Sequence, residues 1–520
     1  MNNENQNDNT IKNLLIVQYQ NNITSFPKKE ISDVFIPKST AELLTFVQNA
    51  NKEGKDFYAF STGKNWGLGS KQPVIENSAV VNLKELNQII DVNEKYRYAI
   101  IEPGVTQQQL SDFLQQNFPH LKFPVTGSAT STSIIGNLAE RGAGAFGHKN
   151  EMIVAMEVLF PNGKYIKTGN WHNFENNNPL AFHYAKGFGP DLRGLFIQSN
   201  FGIITKMVIR LQPLLKGTIL VIKFNEESLK EITNRLRYLH EKKLLDDGIV
   251  ITNLNDPRTA NKRSYHYTGQ WLAVCSLSGE RRITNAKKSL ISKKLKSVTK
   301  DFFFIGVSSN QFSFKKSTLL PYLLGLIEKN KWLNRLFKNI NLKSGETLEE
   351  LLIRFSILKN FYKGIPTNYS IETMAAMNDT ILKDHDLDNS SILGLVVSLP
   401  AVPFDGEALL EVSQIVNDIS QKWHVQPFHN FASIDELTFE GFYRIYFDRM
   451  DTKEVEVAQS WRKDLNQALL EKHYFPYRVD NESMKDFIKK DSNYWKTINR
   501  LKTVFDENNI YARGKYNLQD

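Results

Sequence analysis

Between Leu121 and Met152 the chain reads LKFPVTGSATSTSIIGNLAERGAGAFGHKNEM, with glycines at 127, 136, 142, 144 and 147. A run so rich in small residues cannot pack as one helix or strand, because glycine forfeits both backbone entropy and side-chain contacts there. It suits backbone brought close to a ligand. An earlier stretch, FSTGKNWGLGS (60–70), repeats the theme with glycines at 63, 67 and 69 directly after the strand-like DFYA. A glycine-rich turn after a strand presents unpaired N–H groups to an anion, and two such loops suit a large ligand with a diphosphate in its middle. Neither loop opens a helix with G-x-G-x-x-G or contains G-x-x-x-x-G-K-[ST], which argues against Rossmann and P-loop folds.

The rest of the chain alternates helix and strand patterns. STAELLTFVQNANKEG has apolar residues at helical spacing between a Ser-Thr cap and Gly54, and YRYAIIEPGVTQQQLSDFLQQN predicts a strand turning at Pro103-Gly104 into a helix capped by Thr106. From about Leu214 the pattern becomes strand, helix, strand: TILVIKF before EESLKEITNRLRYLHEK, YTGQWLAVCSL before a basic helix near 281–300, ILGLVVSLPAV before EALLEVSQIVNDISQKW, and FEGFYRIYFDR before EVEVAQSWRKDLNQALLEK. Strands with helices on one face predict an α+β domain. The basic helix reads as a solvated face.

Lys and Arg total 65 against 56 Asp and Glu, a net +9 spread too thinly along 520 residues to argue for nucleic acid. The single cysteine, Cys275, excludes an intramolecular disulfide and a thiolate metal cluster, so no metal is expected. The polar, Asn-rich opening predicts a disordered start without a secretory h-region, and no run approaches the roughly 18 apolar residues of a membrane span. A cytoplasmic protein without a membrane partner is expected.

STGKNWGLGS, AIIEPGVTQQQLSDFL, SIIGNLAERGAGAFG, AMEVLFPNGKYIKTG, GPDLRGLFIQSNFGIITKMVIRLQP, FPYRV and FDENNIYARGKYN occur in this order. Together they resemble the successive signatures of the vanillyl-alcohol oxidase and 4-cresol dehydrogenase (p-cresol methylhydroxylase) group of flavoproteins. The resemblance implies an α+β fold: a two-subdomain FAD-binding domain of the p-cresol methylhydroxylase type with an inserted α+β cap. The divisions it implies are an N-terminal segment at 1–34, the main FAD-binding part at 35–214, a substrate cap at 215–464, and a return to the FAD-binding domain at 465–520.

It also implies site residues. Ser61, Thr62, Gly63, Lys64, Asn65, Gly67 and Leu68 would form the pyrophosphate loop. Ser131, Gly136, Asn137, Arg141 and Gly142 would line the cofactor further along, Gly202, Ile203 and Thr205 would approach the adenine end, and Arg513 and Lys515 come from the terminal segment. Tyr477 and Arg478 match a tyrosine and an arginine that hold the phenolate substrate in the resembling enzymes. His429 falls near a family glutamate that faces the substrate, where an imidazole can act as a base near neutral pH.

Departures from the pattern carry expectations of their own. Leu68 stands where the family has a second phenolate-binding tyrosine, and Ser128 where the oxidase has an aspartate base. Leu387 and Leu395 fall where the family carries a flavin-linking residue, which implies non-covalent FAD, with His385 the nearest alternative for a covalent link. The expected activity is FAD-dependent oxidation, as oxidase or dehydrogenase, with hydride leaving an activated carbon of an aromatic or related alcohol or amine for flavin N5. Two alternatives stand beside it: a related flavoenzyme for a sugar alcohol, hydroxy acid or biosynthetic intermediate, including oxidative cyclisation, and a non-catalytic FAD binder. O2 or another electron acceptor and a homodimer complete the partners considered.

Overall fold

The computed structural model describes residues 2–144, 146, 149–174, 176–253, 269–299, 301–307, 312–313, 348–376, 382, 385–389 and 392–517. Three parallel strands begin the fold, with Ser78–Asn82 between Ile31–Phe35 and Phe57–Phe60. Every residue of the central strand is buried, as expected of a parallel strand covered on both faces. The helix Thr40–Glu53 covers this sheet through Leu43, Val47 and Ala50. Ser39 caps its start by accepting from the Glu42 amide, and Gly54 ends it in the left-handed region. The C-terminal segment returns here, since the Phe57 amide donates to Ile510 O at 2.9 Å and the Ala512 amide to Phe57 O at 2.8 Å.

Five antiparallel strands form the next sheet, in the order Ile89–Asn93, Tyr98–Ile101, Ile203–Arg210, Ile153–Leu159 and Tyr165–Lys167. The helix Gln107–Asn117 starts with a capping box between Thr106 and Gln109 and packs Leu110 and Leu114 into the same core as Ile101 and Met207.

Among the described residues the largest sheet has nine antiparallel strands, the first beginning at Gly217 and the last ending at Asp448. The helices Leu229–Glu241, Arg281–Leu295, Gly406–Lys422 and Thr452–Glu471 bury their apolar stripes against one face, around Trp271, Phe431, Tyr443 and Trp461. Cys275 lies in that core, where burial pushes its thiol pKa up. On the opposite face Ile219, Val221 and Val274 pack under Phe355 and Tyr362 of the helix Leu348–Lys363, while Val250, Phe428 and Phe442 line a cavity shared with the first two sheets. Alternation along Thr438–Asp448 decides which side chains go where: Phe439, Tyr443, Ile445 and Phe447 enter the helix-covered core, leaving Glu440, Phe442 and Arg444 for the other face.

The opening residues, read above as disordered, lie in the helix Asn2–Gln20. The polar first turns mask an apolar second half, whose Leu15, Ile16 and Tyr19 pack on the core of the three-stranded sheet. Among the described residues, no helix is long and apolar enough to cross a membrane.

Candidate active site and flavin-binding cleft

After Phe60 the chain leaves its strand and turns through the first glycine loop. Gly63 adopts φ +68°, and a Cβ there would come within 2.6 Å of Lys71 Cγ, so only glycine meets both the backbone and the space requirement. The second loop enters the short helix Ile134–Ala139, whose cap Ser133 accepts from the Gly136 amide at 2.9 Å and donates to Pro103 O at 2.6 Å. The loops touch: the Ser133 amide donates to Thr62 Oγ1 at 3.0 Å, and a Cβ on Gly136 would collide with Ser61 Oγ.

Between these loops, the terminal segment and the open face of the large sheet runs a cavity of about 610 Å³. Ser61, Thr62, Gly63, Lys64 and Asn65 line it from the first loop, and Gly136, Asn137, Gly202, Ile203 and Lys515 from further along. Tyr477 and Arg478 line it as well. Ser128, Leu387 and Leu395 are also in its wall.

Eight expected site residues stand elsewhere. Gly67 packs against Val397, and Leu68 is buried with Ile23, Leu387 and Leu395. Ser131 has a buried hydroxyl outside the lining, and Gly142 packs on the Asn137 side chain. Arg141 is exposed. Thr205 donates to Glu157 Oε1 at 3.0 Å inside the five-stranded sheet. Arg513 pairs with Asp56 at the surface, 2.9 Å away. His429 is fully buried on the helix-covered face, edge-on to Trp271 and Tyr443. Strand alternation turned it away from the cavity, whereas its neighbours Phe428 and Asn430 reach the lining. Burial holds its pKa at about 3, so the imidazole is neutral at physiological pH.

Motif reading missed the cap's contribution to the cavity. Glu440, Phe442 and Arg444 project there from one strand, and the Arg444 guanidinium lies 3.8 Å from the centroid of the Phe428 ring. The available signal was two charged residues four apart in FEGFYRIYFDR, on the strand face opposite the apolar one.

Arg478 is oriented by Asn65, whose Oδ1 accepts from Nη2 at 2.6 Å. Tyr477 is fixed through its backbone: its amide donates to Leu399 O at 3.0 Å and its carbonyl accepts from Gln198 Nε2 at 2.8 Å. Burial pushes the Tyr477 hydroxyl pKa up, Glu440 adds to the shift, and Arg478 opposes it, so the phenol stays protonated and available as a donor. Lys149 donates to Asn137 Oδ1 at 2.6 Å, and burial, opposed by Glu440 and reinforced by Arg478, lowers its pKa to about 7. At the other end Lys515 bonds Glu140 at 2.9 Å. Burial would raise the Glu140 pKa, but Lys515 and Arg478 hold the carboxyl below its usual range.

The donor set fits FAD. The first loop supplies backbone amides and the Ser61 and Thr62 hydroxyls for a diphosphate, while Trp66 Nε1, Thr132 Oγ1 and Arg478 Nε belong to lining side chains and have no hydrogen-bond partner among the described residues.

Comparison with known proteins agrees. Residues 32–169 match the FAD binding domain family model. The chain is 26% identical over 507 residues to 1'-carboxy-chondrochloren decarboxylase of Chondromyces crocatus, covering 94% of this chain and 91% of that protein. It is 32% identical over 213 residues to the flavoprotein subunit of 4-cresol dehydrogenase of Pseudomonas putida, 40% of each chain. The crystal structure of p-cresol methylhydroxylase with substrate bound superposes with a TM-score of 0.79 at 19% identity, covering 98% of this chain and 93% of that one. From the family match, the shared fold and the cleft together, the chain is an FAD-dependent oxidoreductase whose FAD-binding domain is similar in sequence to that of 4-cresol dehydrogenase and whose fold is that of p-cresol methylhydroxylase.

Proposed function

We propose that the protein oxidises a small donor with an aromatic or conjugated body and an anionic or acidic group beside the reacting carbon. The observation that carries this reading is the meeting of Tyr477 and Arg478 from the terminal return with Glu440 from the cap, at a cavity walled by Trp66, Phe428 and Phe442. Bound FAD supplies the two-electron acceptor for hydride from the donor carbon. Arg478, steered by Asn65, holds the donor's negative charge, and the protonated Tyr477 hydroxyl donates a second hydrogen bond to it. Glu440 stands on the facing wall as the carboxylate able to take the donor's proton. The aromatic walls bury the donor's body and exclude water, which strengthens each of these contacts.

Leu68 packs beneath the loop, out of the cavity, so a second tyrosine hydroxyl for a phenolate is lacking at that position. Simple 4-alkylphenols and vanillyl alcohol are therefore weak donors. A second reading is favoured by the near full-length similarity to a decarboxylase. There Arg478 and Arg444 would hold a carboxylate that leaves as CO2 while the neighbouring carbon gives up a hydride to the flavin, the electrons of the broken C–C bond forming a C=C double bond in the product. Anaerobic mixing with aryl-substituted alcohols, amines, phenols and carboxylic acids tests both, with flavin bleaching reporting oxidation and CO2 release reporting decarboxylation. Bleaching by sugar alcohols or aliphatic hydroxy acids alone would overturn the aromatic reading.

A further inference from the structure

A buried ion cluster lies beneath the first glycine loop and joins it to the cap. Lys71 follows the loop and is 5% exposed, with Nζ 2.9 Å from Asp386 Oδ2 and 3.1 Å from Asp388 Oδ2. Its aliphatic stem runs under Gly63, leaving no room for a Cβ there. Asp388 is wholly buried, and its Oδ1 accepts from the Ser70 hydroxyl at 2.7 Å and the Ile23 amide at 3.0 Å. Arg449 donates to the Asp388 carbonyl at 3.0 Å, securing the same segment from the large sheet. Asp386 Oδ1 reaches the other way, 3.9 Å from Nζ of the cavity-lining Lys64. Between the two carboxylates, Leu387 is buried in the cavity wall.

We propose that Lys71 is a positioning residue, clamped by Asp386 and Asp388, that holds the flavin diphosphate loop in its binding shape and fixes Leu387 in the cavity wall at the same time. Retention of FAD then depends on a salt link supplied from the cap side of the chain. A buried pair serves this purpose better than apolar contact would, since removing either partner leaves an uncompensated charge and so penalises any displaced arrangement. Burial alone would lower the Lys71 pKa, but Asp388 and Asp386 outweigh it and raise it, so the lysine stays charged across the physiological range.

The proposal rests on FAD occupying the cleft, which the wild-type holoenzyme checks independently through its flavin content. The test follows release of FAD from diluted holoenzyme by the rise in flavin fluorescence, beside thermal unfolding at saturating FAD. Lys71→Met and Asp388→Asn are expected to release FAD faster by about tenfold or more, within the usual span of coupling between sites. Lys71→Arg, which keeps the charge, should restore slow release. If Lys71→Met alone does not fold, the triple variant Lys71→Met, Asp386→Asn, Asp388→Asn removes every charge of the clamp and should also release FAD faster. Unchanged release in the folded variants overturns the proposal. So does faster release from the triple variant accompanied by a matching fall in its unfolding midpoint at saturating FAD, which would mark a purely structural role. A wild-type protein that takes up no FAD would overturn the cofactor assignment instead.

Discussion

Arg478 and Asn65 meet across 413 positions of sequence, with the guanidinium Nη2 donating to the amide oxygen at 2.6 Å. One residue belongs to the first glycine loop and the other to the terminal return, so this contact registers two distant segments of the chain against each other at the wall of the cavity. It also gives Arg478 a fixed direction, which a cation needs if it is to stabilise charge that develops during reaction.

Arg478→Ala should therefore slow flavin reduction by one and a half to three orders of magnitude, corresponding to about 2–4 kcal/mol of transition-state stabilisation. FAD content at purification should stay near that of the wild type. Stopped-flow reduction beside the ratio of flavin to protein absorbance separates the two effects. Colourless Arg478→Ala protein would place the residue in cofactor binding.

FAD should be released by acid. Leu387 and Leu395 line the cavity where the resembling enzymes carry a linking side chain, and leucine cannot attack the flavin methyl group. His385 lies outside the lining. Precipitation with acid should leave a yellow supernatant and a protein band without fluorescence, whereas colour retained in the pellet would direct attention to His385.

His429→Phe should leave the flavin reduction rate unchanged and the fold intact. The imidazole is buried among aromatic rings on the face of the cap sheet away from the cavity, and neither ring nitrogen has a hydrogen-bond partner among the described residues. A phenyl ring of similar shape removes that unsatisfied polarity, and volume-conserving core changes cost less than about 1.5 kcal/mol. A large loss of rate with an unchanged unfolding midpoint would restore His429 as a candidate base.

The Glu140–Lys515 pair predicts a specific acid sensitivity. Because the folded-state pKa of Glu140 lies below its unfolded value of about 4.3, its contribution is fully present above that pH and is lost as pH falls through the depressed value. Glu140→Gln should thus be less stable than wild type by about 3 kcal/mol or more near pH 7, because it leaves Lys515 buried without its carboxylate. The gap should narrow as the pH is lowered below about 4. Denaturant unfolding of both proteins across that range measures it, and a gap independent of pH would contradict the assignment.

Local chemistry made a large part of the molecule readable in the chain itself. The caps Ser39 and Thr106, the stop at Gly54, and the glycines around 63 and 136 act through hydrogen bonds and steric limits that span a few residues. The order of helix and strand patterns likewise separated a large α+β sheet from the glycine-loop region. Which face of a strand meets the cavity depends on packing partners hundreds of residues away. His429 and Arg444 show the difference: each stands on a mixed strand, but helices covering one face of the large sheet drew the histidine into the core and left the arginine facing the cleft. The same holds for the clamp at Lys71, because Asp386 and Asp388 lie more than 300 positions away and carry no motif. Their role exists only once folding brings one ammonium and two carboxylates out of water together, where the lysine offsets the desolvation and mutual repulsion of the two aspartates.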